Sequence, residues 1–275
     1  MIYSCKPLFE KIKAQVGAEI DNYPIEDPPR VCIITTGDDE PSQRYVRNKL
    51  RDFKELGIVG KVMNFFSLND ILHFLDNQEK KMSYDGIIVQ RPILVKDATP
   101  KNAAAWVSDA INPRQDIDGV APGSGFMSPS VRGLDLLLHE WDYDPSGKTA
   151  VVIGRGDVGR PVAEYLLSRD ATVTICHSKT PDLTIINEVY RADIVVGAAG
   201  LKEPIYPGFR EYGGVVIDYG ITRYDDTREL HGDFEATSSN MVKYQPPVPG
   251  GMGLMVRAGL LLNIVDAYKR RRGLM

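Results

Sequence analysis

The sequence predicts an α/β protein of two domains built on parallel sheets. Short apolar runs rich in β-branched residues alternate with stretches of helical periodicity from end to end. That alternation is typical of parallel sheets covered by helices on both faces. Residues 112–125 are rich in Pro, Gly and Asp, and they mark a boundary within the 275 residues. The chain is therefore expected to form two domains of ordinary size.

Strands and helices alternate before this boundary. Strands are predicted over 30–36, 60–66 and 85–89, and helices over 43–56 and 70–77. After the boundary, helical spacing predicts a helix over 130–140, with Leu134, Leu137 and Leu138 on one face. A final amphipathic helix is predicted over 254–271. Its basic end, 269–272, is interpreted as a solvated C-terminus stabilised by the helix dipole.

A Gly-x-Gly-x-x-Gly motif joins a predicted strand, 149–153, to a predicted helix, 158–168. Gly154 allows the tight turn, Gly156 lets backbone approach a pyrophosphate, and Gly159 lets the helix pack closely on the strand. The helix N-terminus would face the anion. The motif therefore predicts a dinucleotide-binding unit, for which a purely structural glycine-rich turn is the alternative. Further strands of this unit are predicted over 171–175, 193–197 and 214–218.

The residues after the second strand of this unit indicate which dinucleotide it binds. NAD-binding units usually carry Asp or Glu about 20 residues after the first Gly, to hold the ribose 2′-OH. This chain has His177, Ser178 and Lys179 there, without a carboxylate. A 2′-phosphate would suit the hydroxyl and the positive charge, with the Arg155 guanidinium as a second donor. The sequence therefore favours NADP over NAD, although Lys179 alone is better explained as a solvated surface charge.

Composition argues against several other classes of protein. Hydrophobic residues make up 43% and charged residues 25%, which is ordinary for a globular protein, and the net charge is −4. Nothing in these values indicates a nucleic-acid or membrane partner. The first residues lack the order of a signal peptide. Three widely spaced cysteines predict neither disulfides nor a metal knuckle, and four scattered histidines predict no metal site. A cytoplasmic location is expected.

Polar residues in the N-terminal half are candidates for chemistry. Tyr45 and Lys49 lie four residues apart, on one face of the predicted helix, so the hydroxyl could orient the amine. Partial burial would lower the lysine pKa and suit it to proton transfer; an exposed Tyr/Lys pair is the alternative. Gln90 ends a predicted strand, where open α/β sheets bind ligands, or it could simply cap the loop.

Two aspartates, Asp116 and Asp118, lie close to the predicted boundary. A carboxylate there could bind an amino-pyrimidine edge through paired hydrogen bonds. The alternative is that Asp-x-Asp-Gly is only a turn, since this composition is common in turns.

Several blocks of the sequence carry a family resemblance. Residues 36–49, TGDDEPSQRYVRNK, closely resemble the signature of methylenetetrahydrofolate dehydrogenase/cyclohydrolases. Other blocks resemble family counterparts in the same order: GIIVQRP at 86–92, DIDG at 116–119, HSKT at 177–180, ADIVV at 192–196, IDYG at 217–220, GD at 232–233 and PVPGGMG at 247–253. Because many independent blocks occur in register, the resemblance covers most of the chain.

The resemblance implies a folate-binding domain, 1–122, completed by a C-terminal helix, 254–275, with a Rossmann-like NAD(P)-binding domain, 123–253, inserted between them. It implies a bifunctional enzyme that oxidises methylenetetrahydrofolate with NADP and hydrolyses the product. A homodimer through the nucleotide domain is also implied.

By the resemblance, Lys49 is the catalytic lysine, positioned by Tyr45 and tuned by Gln90. The 116–119 turn, through Asp116 or Asp118, would hold the pterin. Further substrate-binding residues implied are Pro249, Gly250 and Gly251. The implied cofactor-binding residues are Gly154, Arg155, Gly156, Gly159, His177, Ser178, Ala199 and Gly200.

The chain departs from the family pattern near the expected cofactor and folate sites. Gly156 stands where the family has Ser, in a loop one residue shorter. Pro246, Leu254 and Val256 replace Thr, Pro and Thr, and Gln115 replaces a Lys. Residues 128–131, SPSV, replace a Pro-Cys-Thr-Pro-like block. These departures keep two alternatives open: a dehydrogenase without cyclohydrolase activity, and a folate- or nucleotide-binding protein without turnover.

Overall fold

A computed structural model describes residues 1–37, 40–209, 213–224, 229–237 and 240–275. Its helices are α1 (Lys6–Ile20), α2 (Glu40–Glu55), α3 (Leu68–Lys81), α4 (Pro100–Ala110), α5 (Pro129–Glu140), α6 (Gly159–Ser168), α7 (Asp182–Arg191) and α8 (Met252–Arg271). Its strands are β1 (Arg30–Thr36), β2 (Val59–Phe65), β3 (Gly86–Val89), β4 (Thr149–Ile153), β5 (Thr172–Cys176), β6 (Ile194–Gly197), β7 (Gly214–Asp218), β8 (Thr222–Arg223), β9 (Leu230–His231) and β10 (Val242–Tyr244).

The chain divides into two compact units. One, the three-stranded unit, comprises Lys11–Pro129 and Arg257–Met275; the other, the five-stranded unit, comprises Met1–Glu10 and Ser130–Val256. The predicted bounds put the first ten residues with the N-terminal domain, and here the structure differs. Ile2 forms a β-bridge with Gln245, and the Tyr3 ring lies 5.4 Å from the Trp141 ring. These residues belong to the five-stranded unit because their partners do.

A parallel sheet of order β2-β1-β3 forms the centre of the three-stranded unit. β1 and β3 are almost wholly buried because both consist largely of apolar β-branched residues. The core includes Ile34, Ile71 and Ile87, from β1, α3 and β3. These parallel strands bring their carboxyl ends to one edge of the sheet, where β1 leads towards α2 and β3 ends just before Gln90. The edge thus carries the N-terminal candidate residues.

The last helix differs from its prediction in two respects. Between Met252 and Tyr268 only Gly253 is exposed, so α8 is buried on most sides rather than amphipathic. Its basic end is also not simply solvated. Arg271 and Arg272 both contact the buried Asp85 carboxylate, at 3.1 and 2.7 Å, and Arg272 also pairs with Asp27. The basic end is therefore an ion-pair cluster that joins α8 to the amino ends of β1 and β3.

The five-stranded unit contains a parallel sheet of order β10-β7-β6-β4-β5. β4 lies between β5 and β6, so the chain turns to opposite sides of β4 after its first two strands. Buried residues of these strands form the core, including Val151, Val195 and Val216. In such sheets ligands bind outside the carboxyl ends of the strands, where the strand order reverses. The predicted glycine motif lies at this point.

Three helices and three short strands are additional to the predicted elements: α1, α4, α7, β8, β9 and β10. The three cysteines are buried free thiols. Among the described residues, no helix is both long and apolar enough to cross a membrane.

Candidate active site and dinucleotide site

The predicted lysine lies at the carboxyl edge of the three-stranded sheet. Lys49, on α2, is half-buried, and its Nζ donates a hydrogen bond to Gln90 Oε1 at 3.2 Å. The Gln90 backbone N–H donates to the Ile34 carbonyl at 2.9 Å, which holds the residue against the end of β1. Its Nε2 donates to the Arg91 carbonyl at 3.1 Å, so the amide oxygen is the atom left to face the lysine. The strand end thus fixes an acceptor for the amine.

Tyr45 lies one helical turn before Lys49 and is 41% exposed. Partial burial raises the pKa of its hydroxyl, although the nearby Arg44 opposes this. Among the described residues, no hydrogen bond joins this hydroxyl to Lys49 Nζ. In this structure Gln90, rather than Tyr45, forms the hydrogen bond with the lysine.

The two aspartates of the predicted pterin turn differ in burial and in hydrogen-bond partners. Asp116 is fully buried; its Oδ2 accepts the Ala121 backbone N–H at 2.7 Å, and Oδ1 has no partner in the described part of the chain. Burial raises the pKa of this carboxyl. Asp118 is half-buried, and burial raises its pKa while the positive charges of Lys49 and Arg91 act in the opposite direction. Asp118 therefore lies within the electrostatic reach of the lysine, whereas Asp116 holds the turn.

The turn is attached to the sheet beside β3. The Ile87 backbone N–H donates to the Gln115 carbonyl at 2.7 Å, and Ile87 and Asp116 form a parallel bridge. Gln115, which replaces the family's lysine, is fully buried, and its Nε2 donates to the Tyr84 carbonyl at 2.6 Å. Gln115 therefore helps to attach the turn to the segment just before β3.

Arg91 is a site residue that the sequence analysis did not single out. It is half-buried directly after Gln90, and its guanidinium donates to Ser108 Oγ at 3.2 Å. Its charge acts on Asp118 together with that of Lys49. The only sequence signal was its position at a strand end. The edge thus combines a lysine, an amide acceptor, a carboxylate and a guanidinium, a set able to bind a polar ring and to move a proton.

The glycine loop of the five-stranded unit has the predicted geometry at its first and third glycines. Gly154 has φ +114°, and a Cβ there would lie 2.3 Å from the Ala198 carbonyl oxygen. A Cβ on Gly159 would lie 2.2 Å from the Gly154 carbonyl oxygen. Any side chain at either position would clash with backbone. The predicted tight turn and close packing are therefore confirmed.

Gly156 differs from the other two glycines. A Cβ placed on it would meet none of the described atoms within 4 Å, so the loop is open on this side. Val158, at the N-cap of α6, provides no side-chain hydrogen bond to the first turn. The first turn of a helix carries backbone N–H groups that suit an anion. A loop that is open at Gly156 fits a dinucleotide pyrophosphate, with Gly154, Gly156 and Gly159 as the residues that would hold it.

The turn after β5 is ordered by its own hydrogen bonds. The His177 backbone N–H donates to Thr180 Oγ1 at 3.0 Å, and the Lys179 N–H donates to His177 Nδ1 at 3.2 Å. Ser178, Lys179 and Arg155 are exposed. A hydroxyl and two cations are thus free to meet a phosphate, and His177 shapes the turn through its ring nitrogen.

Loops from three adjacent strands converge at this edge. The Gly154 N–H donates to the Cys176 carbonyl at 2.9 Å, and the Ala198 N–H donates to the Ile153 carbonyl at 2.8 Å. Ala199 and Gly200 follow in an exposed loop, where Gly200 has φ +64°. The structure therefore brings together the predicted cofactor residues that follow β4, β5 and β6.

The predicted substrate residues Pro249, Gly250 and Gly251 form a turn in the same unit, just before α8. Pro249 and Gly250 are exposed, and Gly250 has φ +100°. A Cβ on Gly251 would lie 2.4 Å from the Pro247 carbonyl oxygen. Residues 38 and 39 of the 36–49 motif lie outside the described residues.

Family models match both halves of the chain. Residues 3–118 match the tetrahydrofolate dehydrogenase/cyclohydrolase catalytic domain, and residues 128–272 match the NAD(P)-binding domain of the same family. The chain belongs to the tetrahydrofolate dehydrogenase/cyclohydrolase family. The predicted resemblance is confirmed, as is the predicted fold class of two α/β domains with an NAD(P)-binding domain of Rossmann type.

Individual members of the family are similar over their whole length. The bifunctional protein FolD of Moorella thermoacetica is 37% identical in an alignment 281 residues long. The alignment covers 96% of this chain and 97% of the relative. The crystal structure of bifunctional FolD from Campylobacter jejuni has a TM-score of 0.87 at 30% identity, covering 98% of this chain and 99% of that one. The Trypanosoma brucei dehydrogenase-cyclohydrolase, complexed with NADP and an inhibitor, has a TM-score of 0.86 at 26% identity, covering 99% and 98%.

Proposed function

We propose that this chain is a bifunctional one-carbon folate enzyme. It oxidises 5,10-methylenetetrahydrofolate to the 5,10-methenyl form with NADP and hydrolyses that product to 10-formyltetrahydrofolate. Relatives called bifunctional FolD, similar along their full length, support this proposal. Within the chain itself, the observation that carries it is the contact between Lys49 Nζ and Gln90 Oε1 at 3.2 Å, with Asp118 in electrostatic reach of the same lysine.

The folate ring would bind at the carboxyl edge of the three-stranded sheet. Its 2-amino-pyrimidinone edge presents adjacent N–H donors, and a fixed carboxylate accepts two of them in parallel. Asp118 is the better candidate because Asp116 is buried and holds the Ala121 backbone instead. Burial raises the pKa of Asp118 overall, and the charges of Lys49 and Arg91 oppose this shift by favouring the ionised form, which is the form that accepts both bonds.

Lys49 would move protons during hydrolysis of the methenyl carbon. Water adds to that carbon and loses one proton, which leaves a hydroxyl on the carbon. When the bond to N5 breaks, N5 takes a proton and the hydroxyl releases its own proton to solvent as the formyl C=O forms. A lysine amine held by Gln90 can accept the first proton and return it at N5. Gln90 accepts a hydrogen bond from the amine and so orients it. Tyr45, on the same helix face, is proposed to reach the lysine or the ligand once folate is bound.

NADP bound at the five-stranded sheet would accept the hydride from the methylene carbon. Gly154, Gly156 and Gly159 would bind the pyrophosphate, and Ala199 and Gly200 would line the adjoining loop. The exposed Arg155 and Ser178 would hold the 2′-phosphate, and His177 would shape the turn that presents Ser178. The turn at Pro249–Gly251 would contact the folate.

Two alternatives follow from the departures at Gly156, Pro246, Leu254 and Val256. The chain could be a dehydrogenase alone, or it could bind ligands without turnover. An assay with methylenetetrahydrofolate and NADP that records NADPH and 10-formyltetrahydrofolate separately distinguishes all three. Both products support the bifunctional proposal, NADPH alone means a dehydrogenase, and ligand binding without either product means a binding protein.

We propose further that two copies associate through the five-stranded unit. The strand order leaves β5 at the edge of the sheet, where its backbone is open to pairing with a second edge strand. The neighbouring helix α7 exposes Leu183, Ile186 and Tyr190 on one face, by 75%, 53% and 51%. Sedimentation velocity should give a dimer for the wild type and a monomer for Ile186→Glu. A monomeric wild type would contradict this proposal.

A cytoplasmic location is proposed on the three free thiols, which are buried and reduced. The 10-formyl product would serve formyl-transfer reactions such as those of purine biosynthesis. No nucleic-acid or membrane partner is proposed, because the net charge is −4.

A further inference from the structure

The loop that follows β6 is held from inside the five-stranded unit by one carboxylate. Asp233 Oδ2 accepts the backbone N–H of Ala199 at 2.7 Å, and its Oδ1 accepts the N–H of Leu201 at 2.6 Å. Asp233 itself is fully buried, whereas Ala199 and Gly200 are exposed. The carboxylate therefore fixes the inner side of a loop whose outer side is open to ligands.

A second buried carboxylate holds the first. Asp218, at the end of β7, accepts the backbone N–H of Asp233 at 3.0 Å and that of Phe234 at 2.9 Å. It also accepts the Gly220 N–H at 2.8 Å. Two aspartates in series thus connect the end of β7, the segment around Asp233 and the loop after β6. Hydrogen bonds from backbone to carboxylate are among the stronger ones in proteins.

The packing around the pair leaves these side chains little room to move. A Cβ on Gly197 would lie 2.7 Å from Asp233 Cβ, and one on Gly220 would lie 2.5 Å from Asp233 Cγ. On Gly232 it would lie 2.1 Å from Asp218 Oδ2. Each of these positions accepts only glycine because a carboxylate occupies the space a side chain would need. The loop after β6 is therefore attached to a rigid support.

We propose that Asp233 is a positioning residue for the dehydrogenase reaction. It sets the conformation of Ala199–Leu201, the loop that lies beside the glycine motif and that the proposed function assigns to the dinucleotide. Nothing in cyclohydrolysis requires this loop, since no hydride moves and the residues assigned to proton transfer, Lys49 and Gln90, belong to the three-stranded unit. Loss of the support should therefore separate the two activities of one chain.

The test is Asp233→Asn, with both activities measured on the same preparation. Asparagine keeps one acceptor oxygen but sets an N–H₂ against the second backbone N–H, so the loop loses one of its two attachments. We expect KM for NADP to rise at least tenfold while cyclohydrolase kcat/KM stays within twofold of wild type. Equal losses in both activities, or an unchanged KM for NADP, would overturn the proposal.

Asp193→Asn is the matched control. Asp193 also accepts a backbone N–H in the five-stranded unit, that of Thr149 at 2.8 Å, but at the opposite end of the sheet. The Asp193→Asn variant should have a lower melting temperature than wild type but the same KM for NADP. If Asp193→Asn changes KM as much as Asp233→Asn does, the effect is general loosening and the proposal fails.

A second variant keeps the test available if Asp233→Asn does not fold. Asp218→Asn leaves Asp233 and the loop in place but sets an N–H₂ against one of the backbone N–H groups of Asp233 and Phe234, and so loosens the segment that carries the Asp233 carboxylate. It should produce the same separation of activities.

Fluorescence titration with NADPH distinguishes failure of the inference from failure of the proposed function. If the wild type turns over no folate but binds NADPH, the proposed function fails, and Asp233→Asn must still weaken NADPH binding tenfold for the inference to stand.

Discussion

Asp118→Asn is the substitution whose result the structure specifies best. Asparagine keeps the size of the side chain but removes the charge and one acceptor, and its N–H₂ would face the pterin donors. Leaving such groups unpaired costs about 1–3 kcal/mol, which corresponds to roughly 5- to 150-fold in binding or catalysis. Because Asp118 is half-buried beside two cations, we expect the upper part of this range, and KM for the folate should rise at least tenfold.

Asp116→Asn is the matched control, two residues away. Its Oδ2 bond to the Ala121 N–H can be kept by the asparagine oxygen, and its Oδ1 already lacks a partner in the described part of the chain. Burial raises the pKa of the Asp116 carboxyl, so removal of its charge also relieves desolvation. We expect folate KM within twofold of wild type and a loss of unfolding free energy of about 1–3 kcal/mol, because the N–H₂ would take the buried Oδ1 position without an acceptor.

Cyclohydrolysis of methenyltetrahydrofolate is the assay of choice for this pair, since it needs no dinucleotide. NADPH affinity, measured separately, should be unchanged in both variants. If the two aspartates exchange their effects, or if neither variant alters folate KM, the pterin is held elsewhere and the account of the turn is wrong.

Three further predictions concern other residues of the two units. Lys49→Ala should abolish cyclohydrolase turnover while NADPH binding survives, and Lys49→Arg should not restore turnover because guanidinium does not readily release a proton. Arg155→Ala should weaken NADP binding by about 1.5–3 kcal/mol, more than it weakens NAD binding, because a charge-assisted contact to the 2′-phosphate is lost. Arg272→Met should lower the free energy of unfolding by about 2 kcal/mol, less than the 3–5 typical of a broken buried pair, since Asp85 keeps Arg271 at 3.1 Å.

Each of these has a measurement that can contradict it. Cyclohydrolase rates at saturating folate test the role of Lys49 in proton transfer. Full activity in either variant would mean that Lys49 is only a surface charge. Parallel titrations with NADP and NAD test Arg155, and equal losses for both would end its assignment. Urea unfolding tests Arg272, with Lys80→Met as control because the Lys80–Asp76 pair is exposed on both sides. Equal losses of unfolding free energy in Arg272→Met and Lys80→Met would mean that the ion-pair cluster at Asp85 contributes no more to stability than an exposed ion pair.

The strands were predictable because their sequences are short, apolar and β-branched. The bounds predicted for β1, β4 and β7 agree with the structure. The helices were harder, since α7 exposes the apolar Leu183, Ile186 and Tyr190 and so lacks a clean buried face. The glycine motif could be recognised from the sequence because backbone contacts exclude any side chain at Gly154 and Gly159.

Interactions between residues distant in sequence were not predictable. The basic end of α8 has its partners at Asp27 and Asp85, more than 180 residues earlier. Periodicity therefore could not distinguish an ion-pair cluster from a solvated helix end. The choice between Asp116 and Asp118 likewise needed the contact with Ala121, since both aspartates lie in the same turn and have the same chemistry.

Isotope transfer through one preparation tests the central claim, that a single chain performs both reactions. Methylenetetrahydrofolate deuterated at the methylene carbon is incubated with NADP in water labelled with heavy oxygen, and both products are analysed by mass spectrometry. We predict deuterium in NADPH and heavy oxygen in the 10-formyl group, with the heavy-oxygen product formed faster than in a parallel reaction with Lys49→Ala. Deuterated NADPH with formyl product formed no faster than in Lys49→Ala would contradict the bifunctional account, and absence of both labels would contradict any enzymatic role.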